Sequence, residues 1–241
     1  VIRILKGQPQ IEASRKGLVQ RGLDSSQGWR RAIFRFFYTI RFRKKPEHVA
    51  INKSWDVFTI LNEVEKYFPD KKIKIYDMGS FNSEMPIVLW NAGYHHITAS
   101  DFNPMGRSIR WYGNRINFQC EDFYKPDIPP NSLDVITAVS VIEHGFDEDK
   151  ILKTFSNLLK KGGVVFLTTD FRDPKTSIPE DFTLYGLSYM IFCKSEITRL
   201  VESAAKFGLK LLGESDWQMA EYPIDFLNHK FTFIFVAFQK A

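Results

Sequence analysis

The sequence predicts an α/β fold: a mostly parallel sheet with helices on both faces and an antiparallel strand at its end. Two observations carry this. A buried strand ends in an acid and a glycine, a helix begins, and a second strand ends in another acid, Asp101, twenty-two residues after Gly79. At the other end, the apolar runs 209–213 and 231–238 are separated by about seventeen residues with no helical apolar stripe, which reads as an antiparallel pair rather than another crossover.

Taken in order, the first strand is Ile73-Lys-Ile-Tyr-Asp77, followed by the turn Met78-Gly-Ser-Phe81 and a helix; the second is His96-Ile-Thr-Ala-Ser-Asp101. Their spacing puts both strand ends at the carboxyl edge of a parallel sheet. There Gly79 lets the backbone approach a ligand, and Asp101 can take two adjacent ribose hydroxyls on one carboxylate. Further strands are expected at Ile116–Cys120, at Leu133–Val139 and at Val164–Thr169, the last fed by the turn Lys160-Lys-Gly-Gly163. A helix begins near Ser195, a suitable N-cap, and Gly208 stops it.

The ligand implied by the two acids contains a nucleoside, and the missing glycines restrict which one. In a dinucleotide fingerprint the later glycines admit a diphosphate to the helix N-terminus. Here Phe81 and Glu84 stand in those places, so a diphosphate would meet bulk and negative charge. S-adenosylmethionine has no phosphate and carries a sulfonium and an ammonium, which Asp77 and Glu84 would attract.

From these residues onward the chain resembles the class I S-adenosylmethionine-dependent methyltransferases over roughly residues 50–241. The first motif of that family, acid-x-Gly-x-Gly-x-Gly, is matched by Asp77 and Gly79 and departed from at Phe81 and Ser83. Asp101, then Asp122-Phe123, then the strand Leu133–Val139 follow in the family's order. The resemblance implies a Rossmann-like, seven-stranded sheet with an antiparallel last strand. It also implies a cofactor site of Asp77, Met78, Gly79, Ser80, Phe81, Asp101, Phe102, Asp122, Phe123, Val139 and Ser140. Within that site Asp122 and Phe123 would hold the adenine, while Val139 and Ser140 would flank the methionine moiety.

Charge is distributed unevenly. Residues 1–50 hold twelve Lys or Arg against three acids, a balance of +9 in a chain of net charge +5, so the remaining chain carries −4. This suggests a basic N-terminal extension, 1–50, ahead of a methyltransferase domain, 51–241. Within 28–46, Trp29, Ile33, Phe36, Phe37 and Ile40 fall on one helical face among cations. That face could pack on the core, or the stretch could contact an anionic membrane surface or nucleic acid. The leader is expected to act apart from the chemistry, so that its removal spares cofactor binding. Cys120 and Cys193 have no metal-ligand or disulfide spacing and no His/Asp/Glu cluster suits a metal, which points to a metal-free, cytoplasmic protein, with peripheral membrane association left open.

Ser140-Val-Ile-Glu-His144 follows the fourth strand of the motif-bearing region. His144 could take a proton from an acceptor hydroxyl; alternatively Glu143 and His144 fix the loop by hydrogen bonds. Residues 170–193 leave the fifth strand at the same edge and should cover the site, with Asp170 and Arg172 as polar substrate contacts and Tyr185 and Tyr189 as stacking partners. Methyltransferases acting on nucleobase amines place an Asn/Asp-Pro-Pro-aromatic motif where this chain has Ala138-Val-Ser-Val-Ile-Glu-His144, and Pro129-Pro130 comes too early. The expected reaction is therefore O-methylation of a small molecule or a sugar or glycan intermediate. An RNA or protein methyltransferase docking through the basic leader, and a non-catalytic protein of the same fold, are the alternatives.

Overall fold

The structure is a computed structural model that describes residues 1–25, 51–81, 83–104, 115–179, 181–184 and 186–241. Its main sheet runs in the order β1-β11-β6-β5-β2-β3-β4, with β9 and β10 also paired to β11. Strands β2 (Lys74–Met78), β3 (His96–Asp101), β4 (Asn117–Cys120), β5 (Leu133–Val139) and the greater part of β6 (Leu159–Phe171) are parallel neighbours. β11 (His229–Lys240) runs antiparallel to β6, from Thr232 opposite Phe171 to Gln239 opposite Val164. The strand order reverses between β2 and β5, so the carboxyl ends of the parallel strands open a crevice there.

Phe231–Phe238 is buried on both faces, and its alternation feeds two cores. Phe231, Phe233 and Phe235 join the core beneath α1 (Gln8–Gln20), α2 (Ser54–Tyr67) and α3 (Met85–Asn91); Ile234, Val236 and Phe238 join the one beneath α4 (Glu148–Leu158) and α5 (Lys194–Lys206). The α2 stripe of Trp55, Val57, Ile60, Leu61 and Val64 recurs at helical spacing and seals the first of these. Helix α5 is N-capped by Cys193, whose backbone N–H donates to Glu196 at 2.8 Å, two residues before the Ser195 expected from sequence, and Gly208 with φ +73° ends it.

Residues 1–25, assigned by charge to a basic extension, are built into the sheet. β1 (Ile2–Ile4) pairs antiparallel with β11, Ile2 opposite Val236 and Ile4 opposite Ile234. β10 (Ile224–Phe226), β1 and β9 (Leu209–Leu211) thus tile successive parts of the outer edge of β11, which would otherwise present unpaired backbone. A three-residue strand gives too little alternation to stand out in a basic segment. The stretch 28–46 lies outside the described residues.

Candidate active site at the strand ends

A cavity of about 1060 Å³ opens at the carboxyl ends of β2, β3, β5 and β6. At the end beside β2 and β3, Gly79 turns the chain with φ +72° directly beneath Val141. The Asp101 carboxylate faces the cavity while accepting the Phe81 N–H at 3.0 Å and the Asn103 N–H at 2.8 Å, so one acid holds the turns after β2 and β3 together. Burial pushes its carboxyl above the ordinary value, against those backbone donors. Phe102 and Phe123 meet edge to face, ring centroids 6.2 Å apart, at the mouth. Asp122 accepts the Tyr124 N–H, and behind it Tyr76 donates to Glu121 at 2.8 Å, bracing the turn after β4 from β2.

Asp77, Met78 and Ser80 do not line the cavity. Ser80 and Thr137 both donate to the Asp77 carboxylate under the Gly79 turn, and burial raises its pKa to about 7. Asp77 and Ser80 thus brace the turn from below, while Met78, the next residue of β2, points to the opposite face of the sheet and packs in the core. Glu84, expected to attract a cationic ligand, lines the cavity but is already held by Arg15 of α1 at 2.7 Å and by the Ser25 N–H.

At the other end Val139, Ser140, His144, Asp170 and Tyr189 come together. A short hairpin, β7 (Thr183–Leu184) with β8 (Leu187–Ser188), covers this part, as expected of residues 170–193. Tyr189 donates to Asp170 at 2.6 Å, and its ring lies 5.6 Å from that of His144. Burial holds the His144 imidazole below its ordinary value, Asp170 pulling it up and Lys53 down, so at neutral pH it is uncharged. Glu143 accepts the Thr169 hydroxyl at 2.8 Å, and its backbone carbonyl accepts the Met190 N–H; it ties the His144 loop to β6 and to the cover.

Arg172 does not reach the cavity. β6 ends at Phe171, the strand alternation lapses, and the guanidinium donates to the Lys230 carbonyl and lies 4.6 Å from the Tyr222 ring centroid. Tyr185 lies outside the described residues.

The matching family model, described as "Methyltransferase domain", covers residues 56–212. The chain belongs to the class I S-adenosylmethionine-dependent methyltransferases. Part of it is 37% identical, over 70 residues, to phosphoethanolamine N-methyltransferase 3 of Arabidopsis thaliana, covering 29% of this chain and 14% of that one. Another match is 29% identical over 110 residues to a ubiquinone biosynthesis O-methyltransferase of Coxiella burnetii, covering 40% of this chain and 44% of that one. The chain thus spans less than half the length of these curated relatives. Its fold is similar to that of the [4+2]-cyclase SpnF, with TM-score 0.60 and 15% identity over 82% of this chain and 85% of that one.

The donor set suits S-adenosylmethionine, the cofactor of that family: a cavity-facing acid at Asp101, an aromatic pair at Phe102 and Phe123, and a turn at Gly79 free of phosphate-binding glycines. Among the described residues there is no group of three or more His, Cys, Asp or Glu that could hold a metal, and no helix is long and apolar enough to cross a membrane.

The methyltransferase site also has walls that no motif pointed to. Asn52, Lys53 and Val57 enter from the start of α2, and Ile224, Phe226, Phe231 and Phe233 from the β10–β11 hairpin. Lys53 donates to Ser140 Oγ and reaches Asp170 Oδ1 at 3.3 Å, partners 87 and 117 residues away. Nothing local in Ile51-Asn-Lys-Ser54 signals this.

Proposed function

We propose that this protein transfers the methyl group of S-adenosylmethionine to a hydroxyl of a small, neutral acceptor with a flat, largely apolar body. The observation that carries this is the division of the acceptor end. Leu184 and Leu187 from the cover and Phe226, Phe231 and Phe233 from the terminal hairpin supply its apolar lining, while the polar groups Ser140, His144, Asp170 and Tyr189 come from the strand ends and the cover. An apolar slot with a few convergent polar groups suits a ring that presents one hydroxyl better than it suits a sugar with many. The similarity of part of the chain to an O-methyltransferase of ubiquinone biosynthesis agrees with an O-linked product.

When bound, the cofactor supplies an electrophilic methyl carbon on a sulfonium, so the chain's own work is positioning, exclusion of water and removal of one proton. Asp101 would accept the ribose hydroxyls, and Phe102, Asp122 and Phe123 would receive the adenine. His144, uncharged at neutral pH, takes the acceptor's hydroxyl proton; Asp170 nearby offsets the charge the imidazole then gains.

The test is methyl transfer from radiolabelled S-adenosylmethionine to a panel of simple phenols, free sugars, primary amines and RNA. Label in the phenols, reduced about a hundredfold by His144→Gln, is the expected result. Label confined to sugars, amines or RNA would overturn the acceptor class.

A further inference from the structure

Lys53 stands where helix physics disfavours a cation. It is the N-cap residue of α2, at the positive end of the helix dipole, where acids stabilise and lysines do not. Its ammonium is nevertheless drawn inward. It donates to Ser140 Oγ, lies 3.3 Å from Asp170 Oδ1, and sits 3.7 Å from the centroid of the Phe233 ring. Burial works against that charge, but Asp170, Asp56 and Glu143 outweigh it and hold the ammonium above its ordinary value. With two hydrogen bonds and a ring face engaged, it has little left to offer an anionic acceptor.

From Lys53 the contacts continue in one direction. The second oxygen of Asp170 accepts the Tyr189 hydroxyl at 2.6 Å, the Tyr189 ring lies against His144, and the backbones of Tyr189 and His144 form an antiparallel bridge. One side chain therefore joins the start of α2, the end of β5, the end of β6 and the cover.

We propose that Lys53 is a positioning residue for the methyl transfer, tying the cover to the strand ends through Asp170 so that Tyr189 holds the His144 ring in place beside the acceptor. This rests on the O-methylation reading only in giving His144 the proton. Lys53 lies outside residues 56–212, which the family model matches. The charged and titratable groups facing His144 are Asp170 from β6, neighbouring Glu143, Tyr189 from the cover and Lys53 from α2. Loss of any link in this series should loosen the ring.

The experiment needs no acceptor. The protein saturated with S-adenosylhomocysteine is treated with diethyl pyrocarbonate, and carbethoxylation is followed peptide by peptide. His95 and His96, exposed before and at the start of β3, serve as internal standards. Lys53→Met should accelerate modification of His144 at least about fivefold relative to those standards, as expected if the cover opens locally. Tyr189→Phe should do the same, and Lys53→Arg should stay within about twofold of the parent protein. An unchanged His144 rate in Lys53→Met with the cofactor product still bound overturns the proposal. Should Lys53→Met fail to fold, an unchanged rate in Tyr189→Phe, which removes one hydroxyl and strands no charge, overturns it equally. Failure of the parent protein to bind S-adenosylhomocysteine would instead strike at the functional reading.

Discussion

Gly79 lies so close beneath Val141 that a Cβ built on it would stand 2.4 Å from Val141 Cγ2. Its φ of +72° adds a second obstacle to any side chain. Gly79→Ala is therefore expected to displace the turn and lower S-adenosylmethionine affinity at least about tenfold by calorimetry. Adding Val141→Ala should recover only part of this, because the clash is relieved while the left-handed conformation still costs about 1–2 kcal/mol. Unaltered affinity in the single variant would mean that the turn does not touch the cofactor.

Asp101 already accepts the Phe81 and Asn103 N–H groups, and in the proposed complex it accepts the ribose hydroxyls as well. Asp101→Ala should weaken S-adenosylmethionine binding at least about tenfold, since each charge-assisted bond is worth about 1.5–3 kcal/mol. Binding unchanged within about twofold, in a protein with parental circular dichroism, would show that the ribose is held elsewhere.

Arg15 neutralises two buried acids, Glu84 at 2.7 Å and Asp24 at 3.1 Å. Arg15→Met removes the guanidinium from both and should cost about 3 kcal/mol in denaturant unfolding, the lower end for breaking a buried pair. Glu84→Gln in the same chain should return part of it. Deleting residues 1–45 removes β1 and α1 and is expected to yield insoluble protein; soluble, cofactor-binding protein would restore the view of the leader as separate.

Stability should fall as pH rises. Burial raises Asp77 to about 7 and Asp56 to about 6, and it raises Glu143 as well. Above the unfolded carboxylate value of about 4, the native state keeps protons that the unfolded chain has released, so stability is full on the acid side and is lost as pH passes the folded values. His144 and the buried Val1 ammonium, lowered to about 5, act in the opposite sense, costing stability as pH falls below their ordinary values, but they stand against four raised acids, Asp101 being the fourth. The melting temperature should decline between about pH 5 and about pH 8, and Asp77→Asn should flatten the decline. A melting temperature that climbs across that window would refute this account.

The cofactor half was legible because its signals are local. Asp77, Gly79 and Asp101 lie at the ends of short apolar runs whose order and spacing survive in the fold, and Asp122-Phe123 follows β4 as expected. Glu84 was misjudged because its partner, Arg15, is 69 residues away and carries no motif. Arg172 was misjudged because strand alternation holds only as far as the ladder, which stops at Phe171.

The sequence by itself determined the sheet, its antiparallel ending, the crevice and the class of cofactor, since apolar periodicity and strand-end acids are written within a few residues of each other. Only the tertiary structure decided that residues 1–25 complete the sheet, that Lys53 joins Ser140 to Asp170, and that the terminal hairpin lines the cavity. Each of these depends on chain segments far apart in sequence meeting at one edge. Such meetings are set by which surfaces must be buried and which ladder edges must be paired, and no local pattern records them.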